Sequence, residues 1–312
     1  MLLLIGDSCV YIDIDINYIN YYIKYIVELL KLIIIKNNLH INIIIGNGFY
    51  NFNNDNKLIR ININWEHTLV KKNGRSIMPN CLEGKVLTNT AEPYMVRIDR
   101  YEELNNADII IDYSIPNMYN IYSSNSYNNF YKKMLYISPV LFDYDSQNYE
   151  YKQRRINVLT TFINTNEPRR RTLLDNIKMA NIDHININNC FDKIQLEELY
   201  LNTKIIINIH QTEHHDTFEE LRCLPALLSG VIVISEYSPL NNLIPYNDLI
   251  IWSSYDNIID TTNNVINNYD YYYKKIFGKK QTLNVLHKNN LIKIENKVMS
   301  FYINEKNVYI NI

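Results

Sequence analysis

Apolar and polar positions follow their most regular pattern between residues 203 and 238. Residues 204–209 form a run of β-branched side chains without polar alternation, and residues 231–235 (VIVIS) form a second run of this kind. Such runs are typical of strands that are covered on both faces, as in a central parallel sheet. Four apolar residues between the two runs lie at helical spacing: Phe218, Leu221, Leu224 and Leu228. The segment therefore predicts a strand, a helix and a second strand.

Local signals mark the two ends of this predicted helix. Thr217 and Glu220 match the capping box, in which a hydroxyl and a carboxylate bind backbone N–H groups at the helix start. Gly230 fits the left-handed residue that ends many helices. Because ligands of open α/β sheets bind beyond the carboxyl ends of the strands, we expect residues 210–216 and 236–238 to face one site.

Apolar runs that end in polar loops recur along the rest of the chain. In the first half, strands are predicted at residues 2–5, 41–45, 58–63, 107–111 and 135–141, and a helix at 17–36. In the second half, strands are predicted at residues 156–163, 184–187 and 249–252, and helices at 168–180, near 195–201 and at 257–277. This alternation predicts an α/β fold with parallel sheets and right-handed crossovers. We expect two Rossmann-like domains, at residues 1–150 and 151–278, and a tail at 279–312 that can pack back on the first domain.

Composition excludes several classes of protein. The 312 residues are 47% hydrophobic, which suffices for two cores, and 31 basic residues against 33 acidic ones provide no positive field for nucleic acid. The heavy use of Ile, Asn, Tyr and Lys is typical of an AT-rich genome. The longest apolar stretch, residues 26–35, is interrupted by Glu28 and Lys31, so no membrane span is predicted, and the N-terminus lacks the basic leader of a signal peptide. The four cysteines show no CxxC spacing, which favours reduced thiols and a cytoplasmic protein over a zinc site.

Residues 155–260 resemble the donor domain of the GT-B class of glycosyltransferases. The resemblance is carried by a helix with acid and base side chains that precedes the segment 230–236 (GVIVISE), in the second of two Rossmann-like halves. It implies two domains that face each other across a cleft, with a nucleotide sugar on the second and an acceptor on the first. The class has a Glu five residues before its Gly, where this chain has Pro225. Ribose binding therefore falls to Glu220 or Glu236.

Three consecutive arginines, Arg169, Arg170 and Arg171, lie in the first turn of the helix that Pro168 opens. The helix dipole disfavours a cation there by about 0.3–1 kcal/mol. A nearby anion would offset this cost, and one guanidinium group can bind two oxygens of a phosphate at once. We predict that at least one of the three binds the donor phosphate, with Arg169 or Arg171 preferred over Arg170. A solvated basic turn is the structural alternative.

Charged residues on and after the helix near 218–228 supply further candidates. Arg222 can neutralise donor phosphate while Glu220 or Glu219 accepts a hydrogen bond from ribose, although Glu219 and Arg222 are also spaced for a surface ion pair. Glu236 follows a buried strand, and Ser238, two residues later, is a further candidate for binding the nucleotide sugar. Glu236 is the preferred ligand for ribose or sugar.

The histidines near residue 210 are candidate metal ligands, but their position in a predicted loop disfavours a metal site. His210 and His214 are four residues apart, but they lie in a predicted loop where helical spacing has no meaning. We expect His210, or else His214 or His215, to contact the donor phosphate or sugar, and a hydrated loop is the alternative. Two short DxD triplets, at residues 13–15 and 143–145, match a common metal motif but lie before a helix and in a linker. No metal site and no cofactor are predicted.

A transferase that inverts stereochemistry needs a base for the acceptor hydroxyl. His67 is the predicted base because it follows the strand at 58–63 and titrates near neutral pH, with Glu66, Asp112 and Asp7 as alternatives. A plain turn at the strand end would also explain His67.

The leading hypothesis is a metal-independent glycosyltransferase that moves a sugar from a nucleotide sugar to a hydroxyl of a glycan or protein. One alternative is a sugar-nucleotide epimerase on the same fold. The other is a non-catalytic glycan-binding or scaffold module that has lost donor binding, an alternative that the departure at Pro225 leaves open. The predicted partners are a nucleotide sugar and a glycan or glycoprotein acceptor.

Overall fold

The computed structural model describes residues 1–14, 20–64, 69–72, 84–86, 94–97, 101–123, 128–142, 153–163, 165–188, 190, 192–211, 217–278 and 281–303. The chain divides into two compact units. The first contains residues 1–113, 117–138 and 287–312, and the second contains residues 114–116 and 139–286.

Strands of the first unit form a large sheet and a small one. They are β1 (Leu2–Ile5), β2 (Ser8–Asp13), β3 (Ile41–Gly46), β4 (Lys57–Asn64), β5 (Leu69–Lys72), β6 (Gly84–Val86), β7 (Tyr94–Arg97), β8 (Ile109–Asp112) and β9 (Met134–Tyr136). The large sheet has the order β1-β2-β3-β4-β8-β9, with every neighbouring pair parallel except β1 and β2. The small antiparallel sheet has the order β5-β7-β6. The first described helices are α1 (Asn20–Asn37), α2 (Tyr101–Asn106), α3 (Ile115–Ser123) and α4 (Asn128–Tyr131).

Strand β1 corrects one expectation from the sequence. Gly6 has a φ of 57°, and the tight turn at Gly6 and Asp7 reverses the chain so that β1 pairs antiparallel with β2. Asp7 therefore lies at the amino ends of the parallel strands, where its carboxylate is 3.3 Å from Nδ1 of His40, just before β3. Asp112 ends β8 at the opposite edge of the sheet. The expectation that Asp7 could take the place of His67 as the base required Asp7 at the carboxyl edge of the sheet, with Asp112, and the structure places it at the other edge.

The second unit has a five-stranded parallel sheet. Its strands are β10 (Ile156–Thr160), β11 (His184–Asn186), β12 (Thr203–Asn208), β13 (Ile232–Glu236) and β14 (Ile251–Ser253), in the order β11-β10-β12-β13-β14. Its helices are α5 (Pro168–Met179), α6 (Lys193–Leu201), α7 (Glu220–Leu228), α8 (Ile258–Asn267), α9 (Tyr269–Phe277) and α10 (Gln281–Asn284). Ile206 and Val233 are fully buried, as the absence of polar alternation predicts. The expected α/β fold with two parallel-sheet domains is confirmed.

Helix α7 begins differently from the sequence prediction. Its N-cap residue is Glu219, whose side chain makes no capping hydrogen bond, so the predicted capping box is wrong. The Glu220 side chain is fully buried and accepts a hydrogen bond of 2.5 Å from the Tyr246 hydroxyl. A buried carboxylate with this partner stabilises the packing of α7 instead of closing its first turn. Gly230, with a φ of 75°, ends the helix region as predicted.

Two other predicted elements are shorter than expected. The helix predicted at 257–277 is broken at Asn268, whose backbone N and side-chain amide both donate to the Asn264 carbonyl. Asparagine competes for backbone groups in this way and disfavours helix interiors. Strand β9 ends at Tyr136 because Ser138 N turns to the Asn290 side chain and Pro139 has no N–H to donate.

The last described helix, α11 (Leu286–Tyr302), packs on the first unit. Asn290 donates to the Ser138 carbonyl at 2.7 Å, and Lys36 donates to Glu295 at 2.8 Å. These contacts tie α11 to helix α1 and to the segment after β9.

Arg154 holds together three elements of the second unit. Its side chain is buried and donates to the carbonyls of Thr203 at 2.5 Å, Ser229 at 2.7 Å and Tyr200 at 3.2 Å. These carbonyls belong to the start of β12 and to the ends of α7 and α6, where the helix dipole also favours a cation.

We expect Arg154→Ala to lower the free energy of unfolding by at least about 1.5–3 kcal/mol, the range for hydrogen bonds to a charged group. Arg155→Ala is the matched control because Arg155 is the exposed neighbour, and its effect should stay within about 0.5 kcal/mol. Urea denaturation measures both. Equal stability of the two variants would contradict the bridging role of Arg154.

Candidate functional site

The strand order of the second unit creates a crevice at one edge of the sheet. After β10, the chain first adds β11 on one side and then returns to add β12 on the other side. Loops that leave β10 and β12 therefore diverge, and ligands of open α/β sheets bind at such a reversal, beyond the carboxyl ends of the strands. In the large sheet of the first unit, the described strands follow chain order without a reversal.

Glu236, at the carboxyl end of β13, joins two other elements at this edge. Its Oε1 accepts from Nη2 of Arg169, in the first turn of α5. Its Oε2 accepts from the backbone N–H of His210 at 3.0 Å and lies 3.7 Å from His210 Nδ1. The side chains of Arg169 and Glu236 are only 18% and 12% exposed. Three predicted site residues, Arg169, His210 and Glu236, are thus brought together.

Tyr255, which the sequence analysis missed, fixes the position of Arg169. The Tyr255 hydroxyl donates to the Arg169 carbonyl at 2.7 Å, and the guanidinium carbon lies 4.2 Å from the centre of the Tyr255 ring. Burial raises the pKa of the Tyr255 phenol, while the charge of Arg169 lowers it. This contact combines a hydrogen bond with a cation–π interaction, so the first turn of α5 is held from two sides.

Arg222 reaches the carboxyl end of β12 from helix α7. Its Nη1 donates to Oδ1 of Asn208 at 3.0 Å, and the Asn208 amide donates to the Ser235 hydroxyl at 3.0 Å. The Arg222 guanidinium carbon lies 5.9 Å from the centre of the Phe162 ring. The neutral side chain of Asn208 thus orients the Arg222 guanidinium at this edge of the sheet.

Arg170 brings a further cation to the same place. Arg170 is 6% exposed, donates to the carbonyl of Ile163, and holds its guanidinium carbon 5.1 Å from the centre of the Phe162 ring. Burial and, after it, the positive charge of Arg222 lower the pKa of Arg170 to about 10, against the opposing effect of Glu219 and Glu167. Two guanidinium groups that approach one buried ring repel each other, which an anion between or beside them would relieve.

Two buried guanidinium nitrogens indicate where such an anion would bind. Among the residues that the structure describes, Nε of Arg169 and Nε of Arg170 have no hydrogen-bond partner. Buried donors are rarely left unsatisfied because each costs about 1–3 kcal/mol. The arrangement is therefore suited to binding a phosphate or another oxyanion at the ends of β10, β12 and β13.

Arg171 does not lie with the other two arginines. It is exposed, and its Nη2 donates to the carbonyl of Asn166 in its own turn at 3.0 Å. Successive helical residues project about 100° apart, so three consecutive arginines cannot share one face. The sequence analysis preferred Arg171 over Arg170, whereas the structure buries Arg170 at the site.

The remaining candidates of the second unit lie in the core or outside the described residues. Glu220 is fully buried against Tyr246, and Ser238 is buried while its carbonyl accepts from the backbone N of Asn241 at 3.3 Å. His214 and His215 lie outside the described residues.

In the first unit, Asp112 is the described candidate for a base. It is fully buried at the end of β8, and its Oδ2 accepts from the Asn64 amide at 2.7 Å. The two residues are paired across β8 and β4. His67 and Glu66 follow β4 directly but lie outside the described residues.

The described ranges contain neither a cluster of metal-binding side chains nor a helix that could span a membrane. In these ranges, no group of three or more His, Cys, Asp or Glu side chains could hold a metal ion. Asp15 and both acids of the triplet at 143–145 lie outside them. None of the described helices has the length and apolar character needed to cross a membrane.

Comparisons with known proteins add distant similarities. No protein-family model matches the chain. Uncharacterized protein R358 of Acanthamoeba polyphaga mimivirus is 32% identical over 114 residues, which are 35% of this chain and 40% of that protein. Uncharacterized protein L140 of the same virus is 28% identical over 151 residues, which are 43% of this chain and 49% of that protein. The matched region thus spans less than half the length of either relative.

Among solved structures, the chain is similar to the pneumococcal O-GlcNAc transferase GtfA in complex with UDP and GlcNAc. The identity is 12%, the match covers 88% of this chain and 60% of that chain, and the TM-score is 0.47. An α1,3-fucosyltransferase is 13% identical, with 86% and 80% covered and a TM-score of 0.42. Both of these proteins are glycosyltransferases by name. At these TM-scores the fold assignment rests on the sheet topology itself.

A double-mutant cycle tests the contact at the centre of the site. Because the Arg169–Glu236 pair is mostly buried, we expect Arg169→Ala and Glu236→Ala to be coupled by about 0.5–3 kcal/mol in the free energy of unfolding. The control cycle pairs Arg171→Ala with Glu236→Ala, which should be additive within about 0.5 kcal/mol. Additive effects in the first cycle would show that the ion pair does not form in solution.

Proposed function

We propose that the protein is a glycosyltransferase that uses a nucleotide-sugar donor without a metal ion or other cofactor. The observation that carries the proposal is the convergence of Arg169, Arg170 and Arg222 at the strand reversal of the second unit. A nucleotide sugar carries a diphosphate, which needs several charge-assisted donors in one place. Guanidinium groups at this edge can supply them in the absence of a divalent cation.

The same charges would serve the chemical step. In glycosyl transfer, the acceptor hydroxyl attacks the anomeric carbon, the bond from that carbon to the diphosphate oxygen breaks, and a nucleoside diphosphate leaves. Negative charge grows on the departing oxygen, so fixed cations stabilise the transition state more than the ground state. Arg169 and Arg222 take this role, and Glu236 accepts a hydrogen bond from a ribose or sugar hydroxyl.

The acceptor is assigned to the first unit, where a base would remove the hydroxyl proton. His67 is the proposed base, with Glu66 or Asp112 in its place if His67 is dispensable. The Asn64–Asp112 pair at the ends of β4 and β8 supports a polar site at the edge from which residues 65–68 continue. A glycan or protein hydroxyl is the proposed acceptor group.

A thermal-shift panel of nucleoside diphosphates and nucleotide sugars tests the donor assignment. We expect uridine or guanosine diphosphate, or a derived sugar, to raise Tm in the presence of chelator, because a ligand that binds only the native state stabilises it by RT ln(1 + [L]/Kd). A shift that disappears in chelator would contradict the metal-independent reaction. Product analysis then separates the transferase from an epimerase, since only the transferase consumes an acceptor.

Two arginine variants test the phosphate assignment. Arg169→Ala and Arg222→Ala should each remove a charge-assisted contact of about 1.5–3 kcal/mol and so weaken nucleotide binding about 10- to 150-fold. Arg171→Ala is the matched control, since Arg171 is exposed on the same turn and bonded to Asn166, and its affinity should stay within about twofold. Wild-type affinity in both site variants, measured by calorimetry, would place the phosphate elsewhere.

Catalysis can be separated from donor binding by a variant of the first unit. His67→Ala should lower turnover by about 10²–10⁴-fold while nucleotide affinity changes by less than about twofold, because a general base acts on the acceptor. Steady-state kinetics and calorimetry on the same preparation provide both numbers. Full activity of His67→Ala would move the base to Glu66 or Asp112, to be tested as Glu66→Gln and Asp112→Asn.

A further inference from the structure

The carboxylate of Glu236 fills a position that has the chemistry of a phosphate site. One oxygen accepts from the Arg169 guanidinium, and the other accepts from the His210 backbone N–H at 3.0 Å. A guanidinium and a backbone N–H at the end of a buried strand are also the donors that bind phosphate oxygens. The two oxygens of Glu236 thus occupy sites that two oxygens of one phosphate group would fit.

We propose that Glu236 is an internal competitor at the phosphate site, and that it makes the site selective for ligands that carry sugar hydroxyls as well as phosphate. This inference rests on the proposed function and adds the basis of its selectivity. A ligand phosphate takes Arg169 from Glu236, and the released carboxylate then accepts hydrogen bonds from hydroxyls of that ligand.

Burial explains why the release of Glu236 is costly. The Glu236 side chain is 12% exposed, and within the described residues its nearest cation is Arg169, itself 18% exposed. A buried carboxylate that loses its cation is left with an uncompensated charge, and the incoming phosphate adds like-charge repulsion. Tyr255 also holds the backbone and the guanidinium group of Arg169, so Arg169 keeps this second support when Glu236 is released.

Ligands differ in how far they offset this cost. Inorganic pyrophosphate can bind Arg169 but offers the released carboxylate no sugar hydroxyl. A nucleoside diphosphate has the same two phosphate groups and also the ribose hydroxyls, which can donate to the carboxylate. Since a hydrogen bond to a charged group is a strong one, the hydroxyls favour the nucleotide over bare pyrophosphate. A neutral amide at position 236 removes both the competition of the carboxylate with phosphate for Arg169 and the repulsion between the carboxylate and the phosphate.

The test compares inorganic pyrophosphate with uridine and guanosine diphosphate on the wild-type protein and on Glu236→Gln. Calorimetry measures each Kd. The isosteric control is Glu198→Gln, which changes an exposed acid of α6. We expect Glu236→Gln to bind pyrophosphate at least about tenfold more tightly than wild type, which corresponds to about 1.4 kcal/mol. The preference for the nucleotide over pyrophosphate should fall by a similar factor, and Glu198→Gln should change neither.

Each outcome bears on one claim. Unchanged or weaker pyrophosphate binding by Glu236→Gln overturns the inference, and so does an equal gain for both ligands. If a nucleotide binds when either of these results is obtained, the proposed function stands, but Glu236 does not make the site selective. If Glu236→Gln gains affinity for pyrophosphate while no nucleotide binds either protein, the phosphate site is supported and the proposed function fails. Glu236→Ala provides a second variant, and a Tm close to wild type establishes that each variant is folded.

Discussion

The candidate site depends on the ion pair between Arg169 and Glu236, which connects the first turn of α5 with the end of β13. A cation in the first turn of a helix is disfavoured by the helix dipole, and a mostly buried guanidinium needs an anionic partner. Glu236 supplies this partner and also binds the backbone of His210 after β12. One carboxylate thereby fixes the ends of two strands and one helix relative to each other. Tyr255 adds a second support for Arg169 from the segment after β14.

Arg170 and Arg222 bring two positive charges to this edge of the sheet, and Glu219 and Glu167 bring negative charge near Arg170. Both approach Phe162, and the charge of Arg222 contributes to the lowered pKa of Arg170. In a folded protein such a cost persists when binding offsets it. The buried Nε atoms of Arg169 and Arg170, for which the described part of the chain provides no acceptor, point to the same conclusion. These features support the proposal that the site binds an anion with several oxygen atoms.

Sequence patterns predicted the sheets well because their signals are local and strong. The β-branched runs at β12 and β13 predicted fully buried parallel strands, and Gly230 marked the end of the region of α7. Strand β1 was misjudged in direction, since a tight turn and a polar loop look alike in sequence while only the turn reverses the chain. Glu220 was misjudged as a capping residue because its true partner, Tyr246, is 26 residues away.

The candidate site was only partly predictable for a related reason. Residues at strand ends, such as His210 and Glu236, could be predicted because ligands of open α/β sheets bind beyond the carboxyl ends of the strands. Which of three consecutive arginines faces the site depends on the rotation of α5 about its axis, and the sequence preferred Arg171 over the buried Arg170. Tyr255 carried no signal, since a single tyrosine in a tyrosine-rich chain does not stand out.

The central claim is that the arginine cluster of the second unit binds the diphosphate of a nucleotide-sugar donor. A crystal structure of the protein with a bound nucleoside diphosphate tests it most directly. The account predicts phosphate oxygens within hydrogen-bond distance, about 2.7–3.2 Å, of the Arg169 and Arg222 guanidinium groups. A diphosphate bound away from both arginines, with the Arg169–Glu236 pair unchanged, would contradict it.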